Sequence, residues 1–180
     1  MDKYEVLKKY YGYHSFRAGQ EVLIEGILCG RDAFGIMPTG AGKSICYQVP
    51  ALMMSGITIV VSPLISLMKD QVRALNEAGV HAAYINSSLT ENQIVKALAN
   101  AKNGRYKIVY AAPERLLTPR FLDFAMNVPI SMITVDEAHC ISQWGQDFRP
   151  SYRSILDLVE RLPKRPVVSA FTATATDVVQ

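Results

Sequence analysis

The chain has 180 residues, of which 49% are hydrophobic and 19% charged, and 19 Lys and Arg against 16 Asp and Glu give a formal charge of +3. This length fits a single domain, and the apolar fraction excludes a disordered or low-complexity chain. The slight positive balance means that any nucleic-acid surface would be local rather than a property of the whole chain.

Short apolar runs alternate along the chain with segments of helical periodicity. The runs at 57–61 and 131–135 are continuous, which is typical of strands covered on both faces. The alternation predicts an α/β fold in one domain over residues 1–180, with a mostly parallel sheet and helices on both faces. In chain order, the predicted helices are at 17–29, 43–54, 66–78, 90–101, 119–124 and 152–162. The predicted strands follow them in turn, at 32–37, 58–62, 82–86, 108–112, 132–136 and 167–172.

Residues 44–68 carry no charged side chain and are numerous enough to span a bilayer. Gln48, Pro50, Gly56 and Pro63 interrupt this stretch. We therefore expect buried core elements here and no membrane segment.

The segment MPTGAGKS at 37–44 joins the first predicted strand to a helix. The pattern strand–GxxxxGK[ST]–helix binds phosphate, because glycines let backbone amides approach the anion and the helix N-terminus attracts it. Met37 stands where the pattern has its first glycine, and Thr39 is either a phosphate ligand or a turn residue. We expect Lys43 to reach the β- and γ-phosphates and the Ser44 hydroxyl to hold Mg²⁺. The predicted phosphate-binding residues are Thr39, Gly40, Ala41, Gly42, Lys43 and Ser44.

Two adjacent carboxylates, Asp136 and Glu137, follow another buried strand. We expect Asp136 to hold Mg²⁺ through water and Glu137 to act as the general base on the attacking water. Lys43, Asp136 and Glu137 are therefore the predicted catalytic residues.

Several longer segments resemble the RecQ family of superfamily 2 DNA helicases. The run DEAHCISQWGQDFRPSY at 136–152 is the most specific of them. The others are FRAGQ at 16–20, MPTGAGKS at 37–44, SPLISLMKDQ at 62–71, APERL at 112–116 and SAFTATAT at 169–176. The resemblance implies a RecA-like P-loop domain that uses ATP and Mg²⁺ to move 3′-to-5′ along single-stranded DNA and to separate strands at a duplex junction.

The resemblance also implies an adenine site upstream of the phosphate loop. Gln20 would read the edge of the base, since an amide both donates and accepts, and Tyr13 and Arg17 would flank the ring. Without the resemblance, Gln20 would be an ordinary surface residue on a helix.

The segments at 62–71 and 112–116 are similar to family segments that contact the phosphodiester backbone of single-stranded DNA. Hydroxyls, loop amides and a cation suit such contacts, although capping of helices by Ser62 and Ser66 is an equally open explanation. The predicted DNA contacts here are Ser62, Pro63, Lys69, Gln71 and Arg115.

Trp144, Phe148 and Arg149 offer stacking faces and a cation in a predicted loop. The residues alone favour a buried loop anchor, whereas the resemblance implies a loop that couples DNA binding to hydrolysis. Gln146 departs from the histidine found in many relatives. The resemblance further assigns this coupling to His139, Gln143, Thr172 and Thr174.

A second RecA-like domain, outside this chain, would complete the motor by supplying arginine fingers. A P-loop nucleotide switch without translocation and another superfamily 2 translocase, such as an RNA helicase, stay open as alternatives. The three cysteines form no CxxC pair and the N-terminus lacks an apolar leader, so we expect a cytoplasmic protein, nucleoid-associated if bacterial, with no membrane partner.

Overall fold

The apolar runs of the chain form a parallel sheet in the computed structural model, which describes residues 1–38, 42–141 and 150–173. The strands are β1 (Ala33–Ile36), β2 (Ile57–Val61), β3 (Ala82–Ile85), β4 (Ile108–Ala111), β5 (Ile130–Val135) and β6 (Val167–Thr172). Their order in the sheet is β1-β6-β5-β2-β4-β3, and every neighbouring pair is parallel. The predicted α/β fold with a parallel sheet is confirmed.

Helices cover both faces of this sheet. They are α1 (Lys3–Tyr11), α2 (Gln20–Leu28), α3 (Ile45–Met53), α4 (Ile65–Glu77), α5 (Glu91–Lys102), α6 (Pro119–Met126) and α7 (Arg153–Arg161). On one face α5, α6 and α7 enclose Ile59, Val109 and Ile133. On the other face α2, α3 and α4 enclose Val60 and Phe171, so the central strands are buried on both sides.

The carboxyl edge of the sheet is fixed by hydrogen bonds that extend past the strand ends. Met37 N–H donates to the Thr172 carbonyl at 3.0 Å, and Asp136 N–H donates to the Val61 carbonyl at 2.9 Å. The phosphate-loop segment and the acidic turn therefore leave the sheet from positions that the strand ladder itself determines.

Helix α1 was not predicted, although the sequence carries a signal for it. The Asp2 carboxylate accepts from Tyr4 N–H and Glu5 N–H, and the Glu5 carboxylate accepts from Asp2 N–H. This reciprocal arrangement is a capping box, and its Asp-x-x-Glu spacing marks a helix start. The helix packs on α2 and α3 through Val6 and Leu7.

The predicted elements all exist, with ends that differ by a few residues. The largest difference is at α2, which begins at Gln20 rather than at 17 because Gly19 before it has a left-handed backbone, with φ of 86°. The helix predicted from 152 begins at Arg153, after a 3₁₀ turn at Pro150–Tyr152.

The charge-free stretch folds as α3, β2 and the first residues of α4, as predicted. Among the described residues, no helix is both long and apolar enough to cross a membrane. Most apolar side chains of the charge-free stretch lie in the core around the sheet, whereas Leu64 and Ile65 are exposed.

Gly56 and Gly26 form a matched pair for testing the packing. A Cβ on Gly56 would lie 2.6 Å from the Pro129 carbonyl oxygen, whereas one on Gly26, inside α2, would meet nothing within 4 Å. Gly56→Ala should lower the free energy of unfolding by about 1–3 kcal/mol because backbone must move. Gly26→Ala should raise it by about 0.5–1 kcal/mol through helix propensity. Urea unfolding of the 180-residue chain measures both, and equal stability of the two variants would contradict the packing described.

Candidate active site

A cleft of about 640 Å³ opens at the carboxyl edge of the sheet, beside the start of α3. Its volume is in the range of small-molecule and cofactor sites. The cleft brings together most of the predicted nucleotide residues: Tyr13, Arg17, Gln20, Gly42, Lys43, Ser44, Asp136 and Glu137. Thr39, Gly40 and Ala41 lie outside the described residues.

An ion cluster of Lys43, Asp136 and Glu137 lines the cleft. The Lys43 Nζ lies 3.1 Å from Asp136 Oδ1 and 3.2 Å from Glu137 Oε1. Lys43 comes from the turn that precedes α3, whereas both carboxylates follow β5. The structure thus brings the three predicted catalytic side chains into direct contact.

Burial and charge compete in this cluster. Burial alone would lower the pKa of the Lys43 ammonium, but Asp136 and Glu137 together raise it above the ordinary value. Burial raises the pKa of Asp136 above that of an ordinary carboxyl, and the Lys43 ammonium offsets only part of this effect. A second positive charge near Asp136 would therefore be favourable.

The backbone at Glu137 has a left-handed conformation, with φ of 54°. Among the described residues it is the one non-glycine with positive φ. Its N–H donates to Asp136 Oδ1 at 3.0 Å, and its carboxylate reaches Lys43 on one side and His139 Nδ1, 3.4 Å away, on the other. Such a conformation is unfavourable for a residue with a Cβ, so surrounding contacts must hold it.

His139 links the acidic turn to the end of β6. Its Nδ1 lies 2.9 Å from the Thr172 hydroxyl oxygen, and Thr172 is buried. These two of the four predicted coupling residues are thus in contact. Gln143 and Thr174 lie outside the described residues.

Gln20 is buried and bridges the adenine-side segment to the phosphate-loop segment. Its Nε2 donates to the Gly42 carbonyl at 3.0 Å, and its Oε1 accepts from Arg17 N–H at 2.7 Å. Gly42 has φ of 77°, and a Cβ there would collide with the Gln20 amide. Tyr13 and Arg17 are exposed on the same side of the cleft, so an aromatic ring and a cation are available beside this amide.

The oxygen atoms in the cleft fit a hard cation bound with phosphate. Ser44 occupies the N-cap position of α3, but its side chain makes no capping hydrogen bond. The Ser44 hydroxyl and the Asp136 carboxylate line the same cleft, and Mg²⁺ prefers such oxygen ligands.

Ser62, Pro63 and Lys69 lie at and after the end of β2. Ser62 is 1% exposed, and its hydroxyl has no hydrogen-bond partner among the described residues. Pro63 is half-buried, and Lys69 is exposed with its Nζ 6.0 Å from the ring centre of Tyr84. Of these three, Lys69 is the side chain that an extended ligand could reach directly.

Gln71 and Arg115 make contacts that the sequence did not indicate. Gln71 faces the nucleotide cleft, where its Oε1 accepts from Gln48 Nε2 at 3.0 Å. Arg115 lies 4.0 Å from Glu91, at the start of α5. Trp144, Phe148 and Arg149 lie outside the described residues.

Tyr152 is a site residue that the sequence patterns missed. Its side chain is buried, and its hydroxyl donates to the Asp136 carbonyl oxygen at 3.0 Å. Tyr152 is the last residue of the run at 136–152 that resembles RecQ helicases. That resemblance gave Tyr152 no role of its own.

Comparison with known proteins relates this chain to helicases. The DEAD/DEAH box helicase family matches residues 17–180. The chain is 54% identical to the ATP-dependent DNA helicase RecQ of Bacillus subtilis and 47% identical to that of Pasteurella multocida, each over 95% of the chain. These matches cover 29% and 27% of the two relatives, so the chain spans less than a third of their length.

The fold is shared more widely than the sequence. The crystal structure of the DUF1998 helicase MrfA bound to DNA and AMPPNP superposes with a TM-score of 0.76 over 96% of this chain and 26% of that one, at 17% identity. The comparisons confirm the predicted RecA-like fold and the resemblance to RecQ helicases.

The ion cluster predicts an effect of Lys43 on stability as well as on activity. Lys43→Ala should lower the free energy of unfolding of the nucleotide-free chain by about 1–3 kcal/mol, because the buried Asp136 carboxylate loses its cation. Adding Asp136→Asn should recover most of this loss, since the amide carries no charge. Urea unfolding of the two single variants and the double variant measures the coupling, and strictly additive effects would show that the two side chains do not interact.

Proposed function

Because the chain belongs to the DEAD/DEAH box helicase family, we propose that it is the ATP-binding lobe of an ATP-dependent DNA helicase of the RecQ type. With a second RecA-like domain, it would hydrolyse ATP to drive 3′-to-5′ movement on single-stranded DNA and the unwinding of duplex DNA. The observation that carries the proposal is the contact of Lys43 with Asp136 and Glu137 inside a cleft that also holds Gln20. The identity of 54% to a RecQ helicase supports the choice among helicase types.

ATP would lie in the cleft with its base beside Gln20 and its phosphates at the start of α3. Tyr13 and Arg17 would flank the base. Gln20 would contact the base while it stays bonded to the Gly42 carbonyl, so it would connect the base to the phosphate loop. Thr39, Gly40 and Ala41 complete the phosphate-binding segment in this proposal. Lys43 exchanges the two carboxylates for the β- and γ-phosphate oxygens.

Hydrolysis then depends on the two carboxylates that Lys43 releases. Asp136, through water, and the Ser44 hydroxyl would hold Mg²⁺, which would supply positive charge to the phosphates. Glu137 accepts a proton from the attacking water and so serves as the general base. His139, 3.4 Å from the Glu137 carboxylate, keeps that side chain directed into the cleft.

Single-stranded DNA would pass along the carboxyl edge of the sheet, at the loops that follow β2 and β4. Lys69 is exposed there, and its ammonium suits sequence-independent phosphate contact. The Ser62 N–H already donates to the Ala111 carbonyl and Pro63 has no N–H, so the Ser62–Pro63 segment would contact DNA through its side chains. We assign Arg115 to the same track, and Trp144, Phe148 and Arg149 to base stacking. Gln71, which was also expected on this track, lines the cleft instead. The contact of His139 with Thr172 would couple the nucleotide bound in the cleft to the residues that bind DNA. Gln143 and Thr174 would take part in the same coupling.

The cytoplasm is the proposed location of the protein. Cys29, Cys46 and Cys140 are all free thiols, as expected in a reducing compartment.

ATP hydrolysis by the intact protein, measured alone, with single-stranded DNA and with RNA of equal length, tests the function. We expect DNA to stimulate turnover at least tenfold and RNA to have little effect. Glu137→Gln should lower turnover by roughly 10²–10⁴-fold, since the general base is lost, while ATP still binds. Glu77→Gln, an exposed change at the end of α4, is the control.

The outcomes separate the alternatives. Equal stimulation by RNA would favour another superfamily 2 translocase. ATP binding without stimulation by either polymer would favour a nucleotide switch.

The 180-residue chain by itself should hydrolyse ATP at least about 10³-fold more slowly than the intact protein with DNA. The physical reason is that arginine fingers from a second domain stabilise charge on the transferring phosphoryl group. Steady-state turnover of both proteins under identical conditions measures the ratio. Comparable rates would show that this lobe contains a complete active site.

A further inference from the structure

The peptide bond between Asp136 and Glu137 is held at both of its polar atoms. Its N–H donates to Asp136 Oδ1 at 3.0 Å, and its carbonyl oxygen accepts from the Tyr152 hydroxyl at 3.0 Å. Both contacts are short enough to be good hydrogen bonds. The orientation of this peptide plane is thus determined by one local bond and by one bond from a residue sixteen positions later in the chain.

The orientation of the plane matters because it sets φ of Glu137. Rotating the plane changes the torsion about the Glu137 N–Cα bond, and this torsion is 54°, in the left-handed region. An L-residue leaves that region readily unless contacts hold it there. Relaxation to negative φ would turn the Glu137 carboxylate away from its present place, 3.2 Å from Lys43 Nζ.

Tyr152 is well fixed for such a role. It is 1% exposed within the core formed by α5, α6 and α7. Two residues later, the Ser154 hydroxyl donates to the Pro113 carbonyl at 2.8 Å, which ties the same segment to the loop after β4. The Tyr152 side chain therefore has little freedom to move. If the peptide plane between Asp136 and Glu137 rotated, the hydrogen bond from Tyr152 would be lost.

We propose that Tyr152 is a positioning residue for hydrolysis, which keeps Glu137 in its left-handed conformation through the Asp136 carbonyl. This inference rests on the proposed role of Glu137 as the general base. It adds a residue that acts on Glu137 through the backbone carbonyl of Asp136. The bond from Ser154, two residues later, to the Pro113 carbonyl gives the loop after β4 a short physical connection to Glu137.

Tyr152→Phe tests the proposal, because it removes the hydroxyl and keeps the ring. In the intact protein we expect kcat for ATP hydrolysis to fall about tenfold, with and without DNA, while KM for ATP changes less than about twofold. Tyr110→Phe is the matched control. That hydroxyl is also buried, but it bonds with Tyr47 and Gln48, so kcat should stay within twofold. A tenfold loss in both variants, or in neither, would overturn the proposal.

A second measurement separates positioning from general packing. Glycine adopts left-handed φ without penalty, so Glu137→Gly removes the need to hold the peptide. The fall in Tm caused by Tyr152→Phe should therefore be at least halved in the Glu137→Gly background, whereas the effect of Tyr110→Phe should be unchanged by it. Equal effects of Tyr152→Phe in both backgrounds would overturn the positioning role.

These Tm values do not depend on ATP turnover. A failure of the proposed function, with no hydrolysis by the unsubstituted protein, would therefore be distinguishable from a failure of this inference.

Discussion

The contact of Lys43 with Asp136 and Glu137 can form only because the strands that precede these residues end at the same edge of one parallel sheet. Lys43 follows β1, the carboxylates follow β5, and β6 lies between the two strands. Adjacent strands lie roughly 4.8 Å apart, so β1 and β5 are about 10 Å apart, a gap that the lysine and the two carboxylate side chains bridge between them. The hydrogen bonds of Met37 to Thr172 and of Asp136 to Val61 fix the two ends of that span. Parallel pairing is therefore what creates the site.

The charge balance of the cluster explains why it is suited to bind further ions. Two carboxylates face one ammonium, and burial raises the pKa of Asp136 despite the cation beside it. A buried carboxylate that is incompletely compensated favours additional positive charge. Binding a metal together with a triphosphate would supply that charge and would also give Lys43 new anionic partners.

Periodicity was enough to predict every strand and six of the helices, because the apolar runs and glycine breaks are local features of the chain. Helix α1 was not predicted, although Asp2 and Glu5 form a capping box that the sequence could have signalled. Contacts between distant residues were harder to predict. The resemblance indicated what Gln20 and Gln71 would bind, but no local pattern shows that their amides meet Gly42 and Gln48. Such partners are decided by how helices pack across the sheet.

The backbone at Glu137 marks the clearest limit of sequence patterns. Positive φ is ordinarily signalled by glycine, and here the proposed role as general base requires a carboxylate, so the usual signal is absent. The carbonyl that precedes Glu137 instead accepts a hydrogen bond from Tyr152, which approaches from another part of the fold. A tyrosine in a buried cluster is indistinguishable, in sequence, from one that only fills space. When chemistry fixes the identity of a strained residue, the stabilising contact must come from elsewhere, and a buried hydroxyl on a backbone carbonyl is a direct way to provide it.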